Sequence, residues 1–117
     1  MGAQNVQISI DGAVAVVALS GDLVEATMRP LPGRIQEAVG QGVRGIVVDM
    51  NGVEFVDSSG IKSLIELKKS LDERRARLIL CEMSDSVYGV FERLQLESVF
   101  NIKRTKEKAL RRIKESL

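Results

Sequence analysis

The stretch that decides the fold is VEFVDSSGIKSL, residues 53–64, in which two adjacent serines separate a brief extended piece from a helical pattern. Apolar residues recur at helical spacing from Ile61 onward, which predicts a helix over residues 60–71. The serines therefore stand at a helix start, where about four backbone N–H groups lack intrahelical partners. Asp and Ser side chains accept hydrogen bonds from such groups, so a helix cap is the plain interpretation of Asp57, Ser58 and Ser59.

A second interpretation of the same residues is a switch. Gly60 follows the serines in the first turn, where glycine costs about 1 kcal/mol relative to alanine, but it lets another backbone or a partner approach closely. A phosphate on Ser58 would lie near the positive end of the helix dipole. It would add about −1.5 to −2 charges beside Asp57, enough to weaken a docked partner by several kcal/mol. Residue chemistry alone leaves capping and switching both open.

The residues before this stretch predict a hairpin, a helix and a buried strand. Two strand patterns flank Asp11-Gly12, a pair that strongly favours a β-hairpin. We predict a polar turn next, and Gly40 and Gly42 then end a helix. In chain order the predicted segments are strands at 6–10 and 13–20, a turn at 21–27, a helix at 31–39 and a strand at 45–50.

The residues after the stretch continue the alternation of strands and helices. We predict strands at 76–81 and 98–102, a helix opened by Ser84, and a final amphipathic helix at 104–117. The inward residues of that final helix are predicted to be Leu110, Ile113 and Leu117. The order ββαβαβαβα predicts a single α/β domain over residues 1–117 with a mixed sheet and helices packed on it.

Composition excludes several classes of function. The 117 residues include no histidine, so a serine nucleophile activated by histidine is impossible, and the commonest metal ligand is missing. The lone Cys81, in the apolar run LILC, excludes an internal disulfide and a cysteine-based zinc site, and we expect a buried thiol. We expect no cofactor. The N-terminus MGAQNVQ lacks the features of a signal peptide, and no stretch is apolar enough to span a membrane, so a cytoplasmic location is expected.

Charge gives no reason to expect a nucleic-acid or membrane partner. The net charge is +1, although residues 103–117 carry an excess of five positive charges. That basic segment could touch nucleic acid or an anionic membrane surface. We interpret it as the solvated face of the final helix, because it has no aromatic residue for base stacking.

The longer stretch DMNGVEFVDSSGIKSLIELKK, residues 49–69, closely resembles the signature of anti-sigma factor antagonists, the single-domain STAS family. LSGDL at 19–23 and LILCEMSDSVYGVFERLQLESVF at 78–100 match less sharply but in register. The resemblance implies a STAS fold, which is a mixed sheet of four or five strands opened by a β-hairpin, with about four helices packed mainly on one face.

The resemblance also implies a function, that of a phosphoprotein which regulates transcription by partner switching and is not itself an enzyme. Ser58 matches the family's phosphate acceptor, with Ser59 as second choice. The implied partner is an anti-sigma factor that is also a serine kinase. It binds the unmodified protein and releases the phosphorylated one, and a metal-dependent serine phosphatase resets the cycle. The residues expected at the partner interface are Asp22, Asp57, Ser59, Gly60, Lys62, Ser63 and Glu66.

One departure from the family pattern affects a possible partner contact. The family often reads G-E-L-D at the early turn, whereas this chain has Gly21-Asp22-Leu23-Val24, so the second carboxylate is missing. Asp22 itself either contacts a partner or shapes the turn. Asp49 either helps to hold the serine loop or ends its strand, and Glu54 and Lys62 are either interface residues or ordinary surface.

Two other functions stay open beside the switch. The chain could be an accessory subunit of a transport complex, in which Ser58 is a cap or docking residue and is never phosphorylated. It could also be an enzyme with Ser58 as nucleophile, but the sequence offers no clear base to activate that hydroxyl.

Overall fold

The structure, a computed structural model, describes residues 5–117 and contains one five-stranded mixed sheet in which the strands lie side by side in chain order. The first two strands are antiparallel, and every later neighbouring pair is parallel. The predicted STAS-type mixed sheet is confirmed. The predicted single domain includes residues 1–4, which lie outside the described part, as does the start of MGAQNVQ. The strands are β1 Asn5–Asp11, β2 Val14–Ser20, β3 Gly45–Gly52, β4 Arg77–Cys81 and β5 Asn101–Lys103.

The opening hairpin forms where the sequence predicts it. Asp11 pairs with Val14, and Gly12 between them has a φ of 62°, a left-handed conformation that glycine adopts without steric cost. The register that follows directs alternate residues of β2 to opposite faces of the sheet.

Helices cover both faces of the sheet, unequally. Alternate strand residues such as Val17 and Val48 pack against the first four helices, whereas Val14 and Val47 pack against the last helix alone. None of the helices in residues 5–117 is long and apolar enough to cross a membrane. The helices are α1 Glu25–Met28, α2 Leu31–Gly40, α3 Ser58–Glu73, α4 Asp85–Arg93 and α5 Lys106–Glu115.

Cys81 lies on the sheet face that α5 covers and is fully buried there. Its Sγ lies 3.6 Å from the carbonyl oxygen of Val48, and burial raises the pKa of the thiol to about 12. The expectation of a buried thiol is confirmed.

The predicted turn at 21–27 is wrong in part, because it contains the one-turn helix α1. Val24 is a poor residue for a helix start, and this hid the helix in the sequence. The Oγ1 atom of Thr27 accepts a hydrogen bond from the backbone N–H of Val24 at 3.1 Å, and Met28 is buried at the helix end.

The predicted strand at 98–102 is also wrong in its bounds. Residues Leu96–Ser98 form a 3₁₀ turn, and the strand itself is Asn101–Lys103. Leu96 and Phe100 are both buried and lie four residues apart, as on a helix, and the N–H of Phe100 donates to the carbonyl of Leu96 at 2.9 Å. The Phe100 ring packs edge-on against Phe91, with ring centroids 5.9 Å apart.

The final helix is shorter than predicted, and one inward residue is wrong. It is capped by Thr105, whose hydroxyl accepts from the N–H of Lys108 at 3.1 Å. Its buried residues are Ala109 and Ile113, whereas Leu117 is 52% exposed. Leu117 continues the spacing of that face in sequence, but the helix has already ended at Glu115.

The burial of α5 predicts a contrast between two leucine-sized side chains. Ile113→Ala should lower the free energy of unfolding by about 2–5 kcal/mol, because Ile113 is fully buried and the change leaves a cavity. Leu117→Ala should change it by no more than about 0.5 kcal/mol, since Leu117 is half exposed. Urea unfolding measures both. Equal losses for the two variants would contradict the position of α5.

Candidate functional site

The serine loop is held by the early turn through backbone hydrogen bonds. The N–H of Leu23 donates to the carbonyl of Phe55 at 2.8 Å, and the carbonyl of Leu23 accepts from the N–H of Asp57 at 3.2 Å. Leu23 and Val56 form an isolated parallel bridge. The LSGDL segment and the DSSG motif, which are more than 30 residues apart in sequence, are therefore one structural unit at the carboxyl end of β3.

Asp57 is the N-terminal cap of α3. Its Oδ1 atom accepts hydrogen bonds from the N–H of Gly60 and from the hydroxyl of Ser59, both at 2.8 Å. These two bonds, the one from Gly60 first, hold the pKa of the Asp57 carboxyl below its ordinary value. The capping interpretation is thus correct for the motif, but the aspartate provides the cap.

Ser59 has its hydroxyl engaged on both sides. Its Oγ atom accepts a hydrogen bond from the backbone N–H of Glu25 at 3.2 Å and donates to Asp57 Oδ1. Glu25 is the first residue of α1, so this hydroxyl ties α1 to the start of α3. Ser59 is half buried in this position.

Ser58 differs from its neighbour in both exposure and bonding. It is the first residue of α3, it is exposed, and its hydroxyl makes no hydrogen bond to any residue in the described part of the chain. The two adjacent serines therefore have different chemistry: the hydroxyl of Ser59 is committed to the fold, and that of Ser58 faces solvent.

Gly60 is required by the fold. It is buried, and a Cβ atom at this position would overlap the backbone carbonyl of Leu23. From the sequence, Gly60 is interpreted as a residue that lets another backbone approach closely, and the backbone of Leu23 does so here. Any contribution of Gly60 to a partner interface is indirect, through the shape that it gives to the loop.

The remaining residues predicted for the interface lie around the loop. Asp22, Lys62 and Glu66 are exposed, and Ser63 is half buried. Lys62 and Glu66 follow Ser58 at intervals of four residues, which places the three on one side of α3. Ser63 and Glu66 line a shallow cleft between α1 and α3.

Asp49 neither ends its strand nor bonds to the serine loop, because β3 continues past it to Gly52. Its Oδ1 atom accepts from the N–H of Asn51 at 2.9 Å, and Oδ2 lies 4.0 Å from Nζ of Lys106 at the start of α5.

The exposure of one residue in this region, Phe55, is not predicted by the sequence. Phe55 lies three residues before Ser58 and is 53% exposed. In the sequence it belongs to an apolar run, and alternation places it on the same side as Val53, which is buried. Its backbone bond to Leu23 fixes the loop so that the ring points to solvent, and nothing local to residues 53–56 encodes that bond.

Comparisons with known proteins agree with the motif. The STAS domain profile matches residues 5–109. BtrV of Bordetella bronchiseptica, named as a candidate anti-sigma factor antagonist, is 28% identical over 108 residues, 92% of each chain. The anti-sigma-B factor antagonist of Listeria monocytogenes is 34% identical over 74 residues, which are 60% of this chain and 65% of that protein.

A solved protein shares the fold over almost the whole chain. The anti-sigma factor antagonist SpoIIAA of Bacillus, in its unphosphorylated form, is similar with a TM-score of 0.77 and 25% identity, over 95% of this chain and 97% of that one. Its phosphorylated form has a TM-score of 0.70 and 24% identity, over 93% and 99% of the two chains.

The contact between Gly60 and Leu23 predicts a large difference between two glycines. Gly60→Ala should destabilise the protein by about 1–3 kcal/mol or more, because the new methyl group meets a backbone carbonyl that cannot rotate away. Gly33→Ala, on α2 with open space around it, should be neutral or stabilise by up to about 1 kcal/mol. Urea unfolding compares them, and similar values would argue against the close approach.

The bonds to Asp57 predict a pH dependence of stability. Asp57→Asn keeps a cap oxygen but loses the charge, so comparing its stability with that of the wild type isolates the contribution of the charge. The native state binds fewer protons than the unfolded state in the window below the ordinary carboxyl pKa of about 3.9, so stability rises with pH there. The contribution of the Asp57 charge should be complete above that value and disappear as the pH falls through the lower native pKa. An NMR titration that gives Asp57 an ordinary or raised pKa would contradict this.

Proposed function

The chain belongs to the STAS domain family, and we propose that it is an anti-sigma factor antagonist whose partner binding is switched by phosphorylation of Ser58. The observation that carries the proposal is the contrast between the two serines. Ser58 offers a free, exposed hydroxyl at the first position of α3, beside a fully formed cap. SpoIIAA, which shares this fold, has solved structures of its unphosphorylated form and of its phosphorylated form.

The geometry favours Ser58 over Ser59 as acceptor. A kinase must reach the hydroxyl oxygen and remove its proton. At Ser59 that oxygen already accepts from Glu25 and its proton already points to Asp57. Phosphorylation of Ser59 would break both bonds, whereas phosphorylation of Ser58 breaks none in the described chain.

The phosphate would change binding more than it changes the fold. At the first turn of α3 it would face N–H groups and the positive end of the helix dipole, so the helix can keep it. Its charge would add to that of Asp57, which the low pKa keeps ionised near neutral pH. A partner docked here must desolvate or oppose about three negative charges. A loss of about 4 kcal/mol would weaken binding about a thousandfold.

The proposed partner is an anti-sigma factor that is also a serine kinase. In the transfer, the γ-phosphoryl group of ATP would move to the Ser58 oxygen, the bond to the bridging oxygen of ADP would break, and the hydroxyl proton would go to a base. Asp57 is a poor base because its lone pairs accept from Gly60 and Ser59 and its pKa is lowered. The kinase must supply the base, and this chain is its substrate, not a catalyst.

The proposed partner surface surrounds Ser58. Direct contact would come from the exposed residues Asp22, Lys62 and Glu66 and from half-buried Ser63, whereas Asp57, Ser59 and Gly60 shape the loop. A metal-dependent serine phosphatase would return the protein to its binding form. Such a cycle acts in the cytoplasm, where sigma factors and ATP are found.

We expect a single phosphate on Ser58 when the protein is mixed with its purified anti-sigma factor kinase and ATP and the product is mapped by mass spectrometry. Ser58→Ala should abolish the added mass, and Ser59→Ala should keep it on Ser58. Ser58→Glu should bind the kinase at least tenfold more weakly than the wild-type protein, measured by calorimetry without ATP.

The same phosphorylation and binding measurements distinguish the switch from an accessory subunit of a transport complex. Tight binding of Ser58→Glu, or modification at Ser59, would overturn the proposed switch. An accessory subunit of a transport complex would remain unmodified and would bind the transporter in either Ser58 variant.

A further inference from the structure

A groove lies beside the proposed phosphorylation site, between the serine loop and α4. Its volume is about 370 Å³. Apolar walls come from Phe55 and Val56 on the loop and from Val87 and Val90 on α4. Phe55 is the most exposed of them, and its backbone carbonyl is fixed by Leu23. The ring is thus held at the surface, and burying it against a partner would require little further loss of backbone conformational entropy.

Gly89 lines this groove and has no role in the fold that accounts for it. It lies in the middle of α4, although glycine is the poorest helix former after proline. Its φ is not in the left-handed region, and a Cβ atom here would meet only the flexible end of Arg93, at 3.6 Å. Gly60 is the opposite case, because there the fold leaves no room for a methyl group. The missing side chain at Gly89 therefore widens the groove without serving the protein's own packing.

The charges at the groove indicate what fits it. Asp85 is in the first turn of α4 and Arg93 is in the last, about 12 Å apart along the helix axis. Both line the groove, both are exposed, and neither forms an ion pair with any of residues 5–117. Glu54, on the loop side of the groove, is a second exposed carboxylate without an ion pair among these residues, so a basic side chain of a partner meets negative charge from both walls. An apolar centre between unpaired opposite charges is complementary to a segment with a large apolar side chain, a cation on one side and an anion on the other.

We propose that this groove is a second contact site for the same anti-sigma factor kinase, and that it takes one large apolar side chain of the kinase flanked by a basic and an acidic residue. The basic residue faces Asp85 and the acidic residue faces Arg93. This inference rests on the proposed function. It adds an anchor that phosphorylation does not touch, so the groove supplies affinity and Ser58 supplies control.

The first test fills the groove without harming the fold. Gly89→Leu should weaken binding to the purified kinase at least tenfold in calorimetry without ATP. The matched control is Gly33→Leu, an exposed helical glycine on α2 with nothing near it, which should bind within twofold of the wild-type protein. Both variants should unfold at urea concentrations no lower than the wild type, because each replaces a glycine in a helix.

The second test removes the groove's own contacts. Phe55→Ser should weaken binding at least tenfold, whereas Ile10→Ser, at a similarly exposed apolar residue of β1, should not change it. Arg93→Glu should weaken binding, and Arg111→Glu, at an exposed position of α5, should leave it unchanged.

The outcomes separate the groove from the switch. If Gly89→Leu and Phe55→Ser both bind within twofold of the wild type while Ser58→Glu does not bind, the groove inference is overturned and the switch stands. If the groove variants lose binding while Ser58→Glu binds normally, the groove stands and the switch is overturned. A wild-type protein that does not bind the kinase overturns both.

Discussion

The site depends on one close approach, that of the Leu23 backbone to the first turn of α3. Leu23 can lie there only because Gly60 has no side chain. The approach lets Leu23 bond to Phe55 on one side and to Asp57 on the other. It also brings the start of α1 within reach of Ser59. A non-local backbone contact thus determines the shape of a motif that looks entirely local in the sequence.

That contact gives two identical residues different chemistry. Ser59 is half buried and accepts and donates at once, so its hydroxyl is part of the structure. Ser58 is one residue away but rotated about 100° around the helix axis, and its hydroxyl stays free. Asp57 supplies the helix cap, so neither serine is needed for it. The fold therefore leaves a single hydroxyl of the motif available for chemistry.

Much of the fold follows from periodicity. The hairpin, β3, α3 and β4 have strong local patterns, and the structure has them near the predicted bounds. The errors lie where short segments depart from the apparent period. Leu96 and Phe100, buried four residues apart, form a turn where a strand is predicted, and Leu117 lies beyond the end of α5. The family resemblance points to Ser58, because local chemistry does not distinguish it from Ser59. The bond from Glu25 that separates them joins residues 34 positions apart.

The burial of Cys81 has a consequence for the redox chemistry of the folded protein. Because burial raises its pKa to about 12, the thiol stays protonated at pH 7, and the thiolate is the form that oxidants and disulfides attack. Cys81 is the only cysteine of the chain. The folded protein therefore offers no reactive thiol to oxidants or to other disulfides.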